Sequence, residues 1–157
     1  MQYRIASEAD LASIQLLARE TIDRCYRSFL GDESVDGYLT SGESDKEVAN
    51  NLSHCLVAEL QGEIVGYGVC KDNFIHILMI RPNIQRKGLG SSFLAHIETS
   101  MVSSGHNVLK LETFNTNTQA IRFYEKNGWV IVNQETDTEF GFVRVYLEKH
   151  INVACRF

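Results

Sequence analysis

The chain has 157 residues, 44% of them hydrophobic, with 15 Lys and Arg against 20 Asp and Glu for a net charge of -5. That length suits one domain, expected over residues 1–150 with a tail at 151–157. The charge argues against nucleic-acid binding, which needs a basic face, and the single proline at position 82 leaves no proline-rich linker.

No apolar run approaches the roughly 20 residues that span a membrane. The start, Met1 to Ile5, lacks the apolar core of a signal peptide, so a cytoplasmic protein is expected. Cysteines stand at 25, 55, 70 and 155, with no Cys-x-x-Cys pair, and read as reduced, buried or inert thiols. The histidines at 54, 76, 96, 106 and 150 have no metal-ligand spacing, so no metal is expected.

In chain order, Tyr3 to Ala6 is a short strand candidate. Ser7 with Asp10 three residues on reads as a helix start. Leu11, Ile14, Leu17, Ala18 and Ile22 follow at helical spacing, predicting a helix from Glu8 to Arg27 broken by Gly31. Residues 32–52 read as one or two short helices, Glu43 to Leu52 the better. Cys55 to Leu60 and Ile64 to Cys70 read as a hairpin turning at Gln61 to Glu63. Phe74 to Ile80 is apolar at nearly every position, as in a central strand covered on both faces. A helix over Ser91 to Val102, a strand over Val108 to Thr113 and a helix over Thr118 to Lys126 follow, the last ended by Asn127-Gly128. Trp129 to Asn133 and Phe140 to Leu147 are the final strands, joined by a polar loop. This order predicts an α+β fold, a mixed sheet with helices packed on it.

The segment Gln85-Arg86-Lys87-Gly88-Leu89-Gly90 lies where the central strand hands over to a helix. A helix N-terminus presents unpaired N–H groups and partial positive charge, and glycines allow close approach. Together with Arg86 and Lys87 this describes a seat for a pyrophosphate. A dinucleotide fingerprint needs a third glycine, where Phe93 stands, and a P-loop needs Gly-Lys-Ser/Thr, where the order is Lys-Gly. A plain strand-to-helix turn is the alternative.

About thirty residues on, Asn117, Ala120, Ile121 and Tyr124 are spaced along one helical side, with Asn117 an apt N-cap. The two segments together resemble the GCN5-related N-acetyltransferase (GNAT) superfamily. The matching motifs are Gln85-x-x-Gly88-x-Gly90, Leu78-x-Ile80-x-Pro82, and Asn117-x-x-Ala120-x-x-x-Tyr124-Glu125-x-x-Gly128-Trp129. The element order over residues 2–148 agrees. The resemblance implies a mostly antiparallel sheet flanked by helices, acetyl-CoA as donor and a small-molecule or peptide amine as acceptor. It implies that Gln85, Arg86, Lys87, Gly88, Leu89, Gly90 and Ser91 hold the pyrophosphate. It implies further that Leu78, Met79 and Ile80 face the pantetheine arm, and that Asn117, Ala120 and Tyr124 approach the arm and its sulfur.

Acetyl transfer needs a neutral amine, a stabilised carbonyl oxygen and a proton for the leaving thiolate. Tyr124 is the candidate general acid, and Phe123 beside it reads as core. His76 is the candidate base, placed by strand alternation on one face with Phe74, Leu78 and Ile80. Phe74 stands where the family commonly has a glutamate; Glu59 and Glu112 are weaker candidates, and a water chain needs none. The acceptor pocket is expected from residues 26–38 and the last interstrand loop. Asp32, Glu33 and Asp36 read either as a lure for a cationic amine or as a solvated acidic loop. A homodimer through an edge strand at Phe140 to Leu147 is a further expectation. A non-catalytic acyl-CoA sensor and an unusual nucleotide binder are the competing functions.

Overall fold

The structure is a computed structural model describing residues 1–85, 87–139 and 141–152. The elements in order are β1 (Gln2–Ile5), α1 (Leu11–Cys25), α2 (Arg27–Leu30), α3 (Asp32–Ser41), α4 (Glu43–Asn50), β2 (Cys55–Leu60), β3 (Glu63–Lys71), β4 (Phe74–Ile80), α5 (Leu89–Ser103), β5 (Val108–Phe114), α6 (Thr118–Lys126), β6 (Val130–Thr136) and β7 (Val143–His150). Among the described residues these strands form one seven-stranded sheet in the order β1-β2-β3-β4-β5-β7-β6. Every pairing is antiparallel except β4 with β5, so the fold is the expected mixed α+β one. No helix among the described residues is long and apolar enough to cross a membrane.

Two cores cover the two faces of the sheet. Phe93, Leu94 and Ile97 of α5 pack with Leu109, Leu111, Val145 and Leu147 on one face. Ile14, Leu17 and Ile22 of α1 pack with Val57, Tyr67, Val69 and Met79 on the other. Close packing of β4 against β3 depends on Gly66 of β3. A Cβ there would lie 2.6 Å from Ile80 Cδ1 and 3.0 Å from the Met79 carbonyl.

The single long helix expected at Glu8 to Arg27 is divided. Glu8–Asp10 is a 3-10 turn, and the helix breaks at Tyr26 before the four residues of α2. The Asp10 carboxylate accepts from the Ser7 N–H at 2.7 Å and from Arg4 Nη1 at 2.7 Å. Asp10 thus draws the turn to β1 through Arg4, a tertiary contact that helical periodicity does not encode. Helix α5 starts inside the glycine segment, at Leu89 rather than Ser91, because Gly88 takes φ +77° and caps it. Residues expected as loop at Gln134 to Thr136 extend β6, and β7 is shifted toward the C-terminus, to Val143–His150. Ile151 continues the packing, its N–H donating to the Asn107 carbonyl at 2.8 Å. Phe140 and residues 153–157, including Cys155, lie outside the described residues.

Two expectations are corrected. The sheet edges are β1 and β6, not the region Phe140 to Leu147, because β7 is hydrogen-bonded on both sides by β5 and β6. Strand alternation also fails in β4. Ile75 packs in the α5 core with Leu78 and Ile80, whereas Ile77 packs with Met79 in the α1 core. The pairing with β3 runs from Val69↔Ile77 to Cys70↔Ile75 and skips His76. A bulge at His76 therefore reverses the parity of the strand, and His76 does not share the face of Leu78 and Ile80.

Candidate active site

Strands β4 and β5 pair only at Phe74↔Lys110 and Ile75↔Leu111, then part. Beyond that point the β4 backbone has no strand partner on its β5 side. The Arg81 N–H is taken by Val65 of β3 at 2.8 Å, so alternation turns the peptide groups of Ile80 and Leu78 toward the gap. Gln85 Nε2 donates to the Ile80 carbonyl there at 2.7 Å and lies 3.7 Å from Cys25 Sγ of α1. One amide side chain thus ties the glycine segment to β4 and to α1.

The gap opens into a cleft of about 460 Å³. Of the expected site residues, Leu78, Met79, Ile80, Gln85, Gly88 and Gly90 line it. So do Ser91, Asn117, Ala120 and Tyr124. Lys87 and Leu89 belong to the same segment but do not line the cleft, and Arg86 lies outside the described residues. Gly88 opens α5 with no side chain capping it, which leaves the first N–H groups of the helix facing the cleft. At Gly90 an added Cβ would touch the Phe123 ring at 3.4 Å, so this turn and α6 approach closely.

Helix α6 is held at both ends. Asn117 Oδ1 accepts from the Ala120 N–H at 3.4 Å, and its Nδ2 donates to Thr113 Oγ1 of β5 at 3.3 Å. At the other end Lys149 Nζ donates to the Asn127 carbonyl at 2.8 Å and to Glu98 Oε1 of α5 at 2.7 Å. Between these anchors Tyr124 is 8% exposed. Its ring meets Trp129 and Phe123 edge-on at 5.9 and 5.2 Å. Burial, then the neighbouring Tyr26 and Cys70, push its phenol well above the ordinary range. It therefore stays protonated at any physiological pH.

His76 is placed differently. It is exposed on β4, lies against Phe74 at 4.6 Å and does not line the cleft. Desolvation and the Lys71 ammonium hold its imidazole below the ordinary value, against the opposing pull of Glu112. Glu59, a weaker candidate, hydrogen-bonds Arg4 at 2.9 Å near the opposite edge of the sheet.

Several lining residues were not legible in the sequence. Thr21 and Cys25 come from α1, whose apolar spacing advertises only its core face. Cys25 is a free thiol half-buried against Gln85, while burial pushes the Cys55 and Cys70 thiols up to about 11 and about 12. Gln119, Arg122 and Lys126 line the cleft from α6. Their three- and four-residue spacing was the available signal. Phe123, read as core, packs at the core's margin and also lines the cleft. On the α1 side Tyr26 and Phe29 line it, and burial pushes the Tyr26 phenol up to about 12. Asp32 and Asp36 are exposed carboxylates that share one cation. Both bridge Arg27, at 3.2 and 2.7 Å, together with Asp23 at 2.5 Å.

The sequence matches the model of the acetyltransferase (GNAT) family over residues 18–129. The chain belongs to the GNAT acetyltransferase family. The matched span contains the parted strands, the glycine segment and α6. Solved structures agree on the fold of this GNAT chain. A GCN5-related N-acetyltransferase from Rhodopseudomonas palustris superposes with a TM-score of 0.82 at 20% identity, covering 96% of this chain and 95% of that one. PaiA N-acetyltransferase from Thermoplasma acidophilum, solved with coenzyme A, has a TM-score of 0.78 at 20% identity over 95% and 98% of the two chains. YncA from Salmonella typhimurium, solved with its cofactor acetyl-CoA, has a TM-score of 0.68 at 20% identity over 97% and 94%. At these identities the likeness is one of fold. No curated protein sequence matches the chain.

Proposed function

We propose that this GNAT chain is an acetyl-CoA-dependent N-acetyltransferase that acetylates a primary amine by direct attack in a ternary complex. The observation that carries the reading is Tyr124, a protonated phenol buried in the cleft where β4 and β5 part. The residues fit the donor. The uncapped start of α5 at Gly88, with the N–H groups of Leu89 to Ser91, suits a pyrophosphate, and Lys87, Arg122 and Lys126 add positive charge around it. The free backbone edge at Leu78 to Ile80 suits the amides of a pantetheine arm, with Asn117 and Ala120 opposite. Two relatives of the same fold are solved with coenzyme A or acetyl-CoA.

Acetyl-CoA supplies the acetyl group as a thioester. The chain's own groups then act on three atoms. The backbone N–H of Ile80, turned toward the gap, stabilises the carbonyl oxygen as it gains charge. Tyr124 Oη donates its proton to the departing sulfur as the amine's C–N bond forms and the C–S bond breaks. His76, whose imidazole is held below its ordinary value, takes the amine's proton through water, since it does not itself line the cleft. A second copy of the chain would pair along β6, the exposed edge carrying Val130, Ile131 and Val132.

Thermal melting with acetyl-CoA, CoA, ATP and NAD tests the reading, because a ligand that binds the folded state raises its stability. Acetyl-CoA and CoA should stabilise the protein selectively, and Gly88→Glu should abolish the effect. Stabilisation by ATP or NAD alone would overturn it. Stabilisation by acetyl-CoA with no thiol release for any amine would favour an acyl-CoA sensor.

A further inference from the structure

Beyond the donor cleft, three phenylalanines pack together outside both cores. Phe29 of α2 lies 6.4 Å from Phe114 at the end of β5, and Phe114 lies 5.3 Å from Phe142 before β7. Tyr26 extends the row, 5.0 Å from Phe29. All four rings are half-buried, and Phe29, Phe114 and Phe142 belong to neither core cluster. The row is built from three chain segments held by backbone bonds. The Asn115 N–H donates to the Val143 carbonyl at 2.9 Å, and the Asp137 N–H to the Phe142 carbonyl at 2.7 Å. Thr116 Oγ1 reaches the Phe29 carbonyl at 3.4 Å, closing the strand ends onto α2.

The row is continuous with the cleft, since Tyr26 and Phe29 line the same cavity as Tyr124. Phe114 stands at the end of β5, beyond the point where β5 has parted from β4. An amine that reaches Tyr124 past α2 meets Tyr26 and Phe29, with Phe114 and then Phe142 packed in series behind Phe29. Their remaining exposed surface favours an apolar or aromatic substituent, because covering it removes apolar area from water and offset or edge-on ring contacts add to that gain. Arg27, beside the row, is bridged by three carboxylates, Asp23, Asp32 and Asp36, so its own charge is neutralised and does not repel an incoming ammonium group.

We infer that the acceptor is a small arylalkylamine, a primary amine carried on a short linker from an aromatic ring, and that Phe29, Phe114 and Phe142 select it. The inference rests on the acetyltransferase reading and names its substrate class.

The test is steady-state thiol release with acetyl-CoA and phenethylamine, spermidine or a lysine-containing tetrapeptide as acceptor. Wild type should show the highest kcat/KM for phenethylamine. Phe114→Ala should lower the phenethylamine-to-spermidine ratio of kcat/KM about tenfold, the scale of discrimination set by apolar pocket contacts, with the KM for acetyl-CoA unchanged. Phe114→Leu, which keeps the apolar volume and so the packing, should lower the ratio in the same direction. Preference for spermidine or the peptide would overturn the inference, as would an equal loss for every amine in both variants, the mark of a purely structural wall. Stabilisation by acetyl-CoA without turnover of phenethylamine would overturn it and leave the donor site standing. Absence of any acetyl-CoA effect would remove the acetyltransferase reading itself.

Discussion

The two sides of the cleft are made in different ways. The side formed by the end of β4, the glycine segment and the start of α5 is mostly backbone: peptide groups of Leu78 and Ile80, and N–H groups after Gly88. Its residues fall within a short stretch of chain, and its shape follows from where a strand loses its partner and a helix begins. The side toward α2 is mostly side chain: Tyr26 and Phe29 line it, backed by Phe114 and Phe142, positions more than a hundred residues apart in the chain. Backbone can bind any ligand bearing the same phosphates and amides. Side chains decide which ligand fits. The difference teaches that a fold can keep the backbone half of a cleft while the other half changes by substitution at a few dispersed positions. Tyr124 stands between the two, on a helix anchored to both α5 and β5.

The comparison can be broken most severely at the anchor. Lys149→Met removes the cation that satisfies the buried Glu98 and the Asn127 carbonyl. The expected loss is about 3 kcal/mol of stability in denaturant unfolding, because a buried carboxylate is left unpaired. A loss within experimental error would show that α6 is held by packing alone.

Tyr124→Phe keeps the ring contacts with Trp129 and deletes only the hydroxyl. It should reduce kcat about a hundredfold or more with the KM for acetyl-CoA unchanged, since the proton for the thiolate is lost and binding is not. Turnover near that of wild type would strip Tyr124 of its role.

Gly88→Ala places a Cβ at φ +77°, where L residues pay about 1 kcal/mol. It should weaken acetyl-CoA binding in a melting titration far more than it alters discrimination among amines. Equal effects on both would blur the line between the two sides.

The smallest effect is one of pH. The Arg4 guanidinium, then the Ser7 N–H, hold the Asp10 carboxyl well below its ordinary range. Its folded pKa is depressed, so its stabilisation is fully present above the unfolded value and is lost as pH falls through the folded one. Denaturation midpoints should therefore decline at acid pH in wild type, with a slightly shallower slope in Asp10→Asn. Parallel slopes would show that Arg4 gains nothing from the pairing.

Much of the cleft's backbone side was legible in the sequence because its signals are local. Glycine at 88 and 90, an N-cap at Asn117 and the four-residue step to Tyr124 each act within one or two turns of chain. Element types were legible for the same reason, since period and propensity are short-range properties. The misreadings arose where a distant contact intervened. The bulge at His76 is set by the register of β3 against β4, and it moved the candidate base off the face of Leu78 and Ile80. The edge strand was misplaced because β7 crosses back between β5 and β6, an order that strand spacing along the chain does not state. Cys25 and Thr21 were overlooked because α1 shows its core face in its periodicity and its cleft face only when laid across β4.

The sequence by itself determined the mixed sheet, the phosphate-suited turn and the phenol on α6, because each depends on residues a few positions apart. Only the tertiary structure decided that β4 and β5 part beyond Ile75, that Gln85 spans the gap to Ile80, and that three phenylalanines meet beside it. Those outcomes follow from which surfaces pack against which. Packing joins residues by the area they bury together, whatever their distance along the chain.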